Sequence, residues 1–167
     1  VDTQVIAHAP VDLTCPESAH TQVEAGMALC LSGGGYRAMV FHVGVLWRLY
    51  EATLLKDLKR ISSVSGGSIT AGILGLKWAK LSFDPAAIQT DFVPEVVTPI
   101  RNMASKTIDA SAVIGGGLLP GTISDKIASA YRKHLFGHAT LQDLPDDFPR
   151  FVINSTNVQS GALWRFM

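Results

Sequence analysis

Met27-Ala28-Leu29-Cys30-Leu31-Ser32-Gly33-Gly34-Gly35 decides the reading of this chain, together with its later counterpart Ile61-Ser62-Ser63-Val64-Ser65-Gly66-Gly67. Residues 27–31 are continuously apolar and stop at three glycines, the pattern of a parallel-sheet strand buried on both faces. Residues 61–64 read as a second short strand, ended by Ser65-Gly66-Gly67. Between them Met39, Val43, Leu46 and Tyr50 recur at spacings of three and four, which predicts a helix over 36–50. Val40, Phe41, Val45 and Leu49 widen its apolar arc, so most of that helix is expected to be buried. Residues 68–81 read as a second helix, weakened by Gly72 and Gly75, which would also let a neighbour approach closely. The order is strand, glycine turn, helix, strand, glycine turn, helix. That is a βαβ unit with a right-handed crossover. Both glycine turns fall at strand C-termini, the edge where open α/β sheets bind ligands.

Outward from this unit, residues 1–25 read as a loop or arm, and 26–167 as one domain. Residues 84–108 read as helical but cut by Pro85, Pro94 and Pro99; 111–121, with Gly115-Gly116-Gly117, read as a loop. Both stretches fit plain surface connections better than a lid or a membrane-facing surface. Residues 122–136 read as an amphipathic helix with Ile123, Ile127, Ala130, Tyr131 and Leu135 on one face, ended by Gly137. Residues 151–154 and 162–166 read as two strands, a hairpin about Gln159-Ser160-Gly161. The whole is expected to be a three-layer α/β/α domain with a mainly parallel central sheet.

Composition bounds the function. Of the 167 residues 47% are hydrophobic and 17% charged, which fits a packed core rather than disorder. The formal net charge is +0, without the basic excess of a nucleic-acid binder. Lys56, Lys59 and Arg60, beside Asp57, read as a solvated helix end before a buried strand, ahead of a weak role in holding anionic head groups. Cys15 and Cys30 read as free thiols, Cys30 as a small hydrophobe in its apolar run. No apolar run is long enough to span a membrane. The N-terminal residues lack the basic start and apolar block of a secretory signal. A cytoplasmic or peripheral-membrane location is therefore expected ahead of secretion.

A serine hydroxyl becomes a useful nucleophile only when exposed, oriented and deprotonated as it attacks. A sharp strand-to-helix turn gives the exposure, and small flanking residues let the two backbones pass. Ser65 has Gly66 and Gly67 after it, but Ser63 stands two before it, where glycine is usual. Taken alone, this pentapeptide fits a nucleophile turn and a plain connecting turn equally well. Gly33, Gly34 and Gly35 shift the balance. They put unpaired backbone N–H groups at a helix N-terminus, where a phosphate or an oxyanion can bind. A dinucleotide site is the rival. Against it, Ala38 fills the last position of the glycine fingerprint, no acidic residue follows at a strand end, and no Gly-Lys-Ser/Thr is present.

Residues 30–38, then Phe41-His42-Val43-Gly44-Val45-Leu46, residues 61–69, Leu141-Gln142-Asp143-Leu144-Pro145 and residues 151–156 resemble the patatin-like phospholipases, bacterial members especially. The resemblance spans roughly residues 27–167. It implies a lipid acyl hydrolase with a Ser–Asp dyad, acting on fatty-acyl esters of lipids or phospholipids at a membrane surface, without metal or organic cofactor. It implies Ser65 as nucleophile, Gly33, Gly34 and Gly35 as the oxyanion loop, and Arg37 as the basic residue beside it. The family's aspartate precedes glycine. None of Asp84, Asp91, Asp109, Asp125, Asp143, Asp146 and Asp147 does. The base is therefore expected beyond Met167, with the domain truncated and this polypeptide inactive alone. An inactive fragment or lipid-binding module is the alternative. A Ser–Asp–His arrangement using Asp109 or Asp125 with His134 or His138 ranks behind the dyad, because a single helix joins the two glycine turns. His42 reads as structural.

Overall fold

A computed structural model describes residues 25–106, 123–147 and 149–167. Strands β1 (Met27–Leu31), β2 (Leu58–Val64), β3 (Arg150–Thr156) and β4 (Leu163–Phe166) form one sheet in the order β1-β2-β3-β4. β1 pairs with β2 and β2 with β3 in parallel, while β4 returns antiparallel to β3. Helix α1 (Gly35–Glu51) joins β1 to β2, and α2 (Gly66–Lys77) leaves the end of β2. The expected α/β class with a mainly parallel sheet is present.

Register explains the core. Leu31, Ser63 and Ile153 lie side by side across three strands, as do Leu29, Ile61 and Phe151. This face carries the buried Leu31, Ile61 and Phe151. Both connections step the same way along the sheet, so right-handed crossovers put α1 and α2 on one face. Met39, Val43, Leu46 and Tyr50 of α1 and Ala71, Ile73 and Leu74 of α2 complete the core there. Thr70 Oγ1 donates to Met39 O at 3.0 Å and locks the two helices together. Tyr50 anchors the far end of α1. Its ring packs against Phe83 and Phe92, and its hydroxyl donates to Asp91 Oδ2 at 3.0 Å.

Four local expectations are corrected. β1 is not buried on both faces: among the described residues nothing covers the side bearing Ala28 and Cys30, and Cys30 is exposed. α1 is not mostly buried, because Val40 and Phe41 face outward, Phe41 with 66% exposure. β2 begins at Leu58, so Lys59 and Arg60 lie within the strand and only Lys56 lies in the turn before it. Leu58 is buried and Lys59 exposed, an alternation that a charged pair concealed. α2 ends at Lys77, and a short 3₁₀ turn covers 78–80.

The proline-cut stretch holds a 3₁₀ turn at Pro85–Ala87, a wide π turn at Val93–Val97 and α3 (Thr98–Ala104). The amphipathic segment is α4 (Ile123–Tyr131) followed by a π turn at Arg132–Phe136. Gly137, at φ 60°, ends it as expected. β3 and β4 form the expected hairpin, closed by Asn157 N–H to Ala162 O at 2.8 Å. The arm 1–24, the loop 111–121 and Asp109 lie outside the described residues.

Candidate active site

Between the last residue of β2 and the first of α2 stands Ser65 alone, at φ 51° and ψ −121°. A side chain strains this left-handed backbone at a cost of about 1–3 kcal/mol. Such strain persists where surrounding contacts dictate the chain path, and here they do. A Cβ on Gly66 would overlap the Gly35 carbonyl, and one on Gly67 would stand 2.5 Å from Leu31 O. The start of α2 is therefore wedged, backbone on backbone, against the end of β1 and the start of α1. Ser65 is exposed and its side chain makes no cap hydrogen bond, although it occupies the N-cap of α2. Its oxygen points free of the helix that presents it.

The first glycine turn lies beside it. Gly34 has φ 138° and Gly35 φ 60°, both in the region that favours glycine. A Cβ on Gly33 would stand 3.3 Å from Ser65 Cβ and 3.8 Å from its Oγ. Gly33, Gly34 and Gly35 and Ser65 are thus brought to one spot at the C-terminal edge of the parallel strands. The first-turn N–H groups of α1 open there, unpaired within the helix. Arg37 is exposed in that first turn and has no ion pair among the described residues.

Several polar residues steady the pair of turns. His42 is buried, and its Nε2–H donates to Ser32 O at 3.0 Å, with Ser32 Oγ at 3.3 Å. The carbonyl can only accept, so Nε2 carries the proton. The ring ties α1 to the residue before Gly33, the structural role expected for it. Ser63 is buried, and its hydroxyl donates to Val152 O at 3.3 Å. The serine in glycine's usual place is accommodated by the neighbouring strand. Asn154 Nδ2 donates to Ser62 Oγ at 2.9 Å and Ser63 O at 3.1 Å, fastening β3 to β2 just below Ser65. The spacing of Asn154 gave no sign of this, since 91 residues separate it from Ser63.

No described residue hydrogen-bonds Ser65 Oγ. His134 is exposed in the turn after α4, and His138 is exposed beyond it. No three described His, Cys, Asp or Glu side chains gather as a metal site would require. No described helix is long and apolar enough to cross a membrane.

A strained, exposed serine and a triple-glycine loop, side by side at the C-terminal edge of a mainly parallel sheet, define an α/β protein organised about a strand–serine–helix turn. The family model described as Patatin-like phospholipase matches residues 29–165, and the chain belongs to that family. No curated protein and no solved structure gives a match. Membership supports lipid acyl hydrolysis as the general activity. The matched span includes Ser65, the three glycines and Arg37.

Proposed function

We propose that Ser65 is the nucleophile of a lipid acyl hydrolase and that the Gly33–Gly35 amides form its oxyanion hole. The observation that carries this reading is the juxtaposition of an exposed Ser65, whose side chain caps nothing, with the triple-glycine loop, where a Cβ on Gly33 would stand 3.8 Å from Ser65 Oγ. Backbone strain alone does not carry it, since Thr53 and Phe83 hold φ 59° and 57° in plain connections. Ser65 Oγ attacks the ester carbonyl carbon, and its proton passes to an aspartate carboxylate, the second member of the dyad. The carbonyl oxygen becomes an oxyanion facing the glycine loop, where one donor is worth about 3 kcal/mol of barrier. The C–O bond then breaks and the leaving alcohol takes the proton. Water hydrolyses the acyl-serine by the reverse sequence. Arg37 stands beside the loop, where its guanidinium suits an anionic head group.

None of the described aspartates reaches Ser65 Oγ, so the proposed base is supplied from outside the described residues. In a second reading residues 1–167 form an inactive module that still binds lipid. Both are tested by ester hydrolysis with the full-length protein and with residues 1–167. In the full-length protein Ser65→Ala is expected to cut kcat on the order of 10⁶-fold, to background. Full activity in that variant would overturn the assignment of Ser65. Turnover by residues 1–167 alone would overturn the inactive-module reading.

A further inference from the structure

The stripe of α2 that begins at Ser65 does not end at the serine. Ser68, Ile69, Gly72 and Leu76 follow at the three- and four-residue steps that keep side chains on one helix face. From Ser65 to Leu76 this stripe runs about 16 Å along the helix axis. Its part beyond Ser65, from Ser68 to Leu76, forms one wall of an apolar cleft of about 360 Å³. Phe136, Leu141 and Leu144 form the opposite wall, and Ile153 of β3 contributes to the lining. Ile153 sits in register with Ser63, two residues before the serine turn, so the cleft meets the same sheet edge as Ser65. Clefts of this size and apolar lining, with few polar groups, suit a small apolar ligand.

Two details shape the cleft for an occupant. Gly72 leaves room for Phe136, whose Cε1 would stand only 3.1 Å from a Cβ at that position. The Ser68 hydroxyl oxygen is buried beneath the cleft surface, one helical turn from Ser65, so the lining offered to an occupant at that end is apolar.

We propose that this cleft holds the acyl chain of the ester that acylates Ser65. This rests on Ser65 being the nucleophile. Ile69 and Leu141 then set the preferred chain length, and the head group lies on the other side of Ser65, towards Arg37. Each methylene that enters the cleft raises kcat/KM by about fourfold.

The test is a series of esters from butanoyl to decanoyl with one leaving group, hydrolysed by the full-length protein and by Ile69→Phe and Leu141→Trp. Wild-type kcat/KM is expected to climb with chain length. Each narrowing substitution is expected to lower the decanoyl-to-butanoyl ratio by tenfold or more. Butanoyl turnover reports that each variant folds. A flat wild-type series, or an unaltered ratio in both variants, overturns the cleft assignment and leaves Ser65 untouched. Activity that survives Ser65→Ala overturns the nucleophile itself.

Discussion

Gly33 lies directly against Ser65: a methyl group on Gly33 would meet Ser65 Cβ at 3.3 Å. That is tight but not closed, and Gly33 is exposed, so a small shift of the loop can admit the methyl. Gly33→Ala is therefore expected to fold, with the unfolding midpoint little changed, and to lose up to about 10²-fold in kcat through misplaced amides. Gly66→Ala meets the Gly35 backbone instead, which has nowhere to move. It is expected to destabilise by about 1–3 kcal/mol, despite alanine's better helix propensity. Urea unfolding of both variants, beside ester turnover, checks the contrast.

Ser65 carries strain that a glycine would relieve. Because the Ser65 side chain makes no cap hydrogen bond, replacing it forfeits nothing that stabilises α2. Ser65→Gly is expected to be more stable than the parent by about 1 kcal/mol, and Ser65→Ala less stable than Ser65→Gly. Equal stability of all three in chemical unfolding would mean that the turn stores no strain.

His42 acts through Ser32. His42→Ala removes the donor to a carbonyl at the root of the glycine loop and is expected to cost about 1–3 kcal/mol in stability. A residue that only fills space would leave the kinetic constants proportionate. A residue that positions an oxyanion loop lowers kcat more than it raises KM, because the loop acts in the transition state. The kcat-against-KM split of the folded variant distinguishes the two.

Much of this was legible in the sequence. β1 matches its apolar run residue for residue, and the helix expected over 36–50 is α1 extended by one residue at each end. Both read well because local periodicity and glycine stops suffice to define them. Lys59 and Arg60 hid the start of β2, since two charges among few apolar residues look like a solvated end. The exposed side of β1 was hidden because an apolar run does not tell which faces are covered. Ser65 and the three glycines were readable, from type and spacing, as two turns at strand C-termini. The positive φ of Ser65, the His42–Ser32 bond and the cleft were not. Each depends on residues brought together by packing, as when Phe136 closes over Gly72.

Asp143 gives the turn bordering the cleft a pH dependence. Its carboxylate accepts the Thr140 N–H at 2.7 Å and the Thr140 hydroxyl at 3.0 Å. The Thr140 backbone donor first, and its hydroxyl second, hold the Asp143 carboxyl below the usual carboxylate range. A carboxyl lowered in the folded state stabilises above its unfolded pKa and loses that stabilisation as pH falls through the folded value. The Thr140–Asp143 turn is therefore expected to loosen in acid, below the usual carboxylate range, and to be firm at neutral pH. The protection of the Thr140 amide against hydrogen exchange, relative to its intrinsic rate at each pH, should fall on acidification. Asp143→Asn should remove that pH dependence.

The most direct measurement of the central claim is covalent. The full-length protein is treated with a serine-directed fluorophosphonate, digested, and mapped by peptide mass spectrometry. The predicted result is a phosphonyl adduct on Ser65, absent from Ser65→Ala. An adduct on another serine that abolishes ester hydrolysis, with Ser65 unmodified, would contradict it.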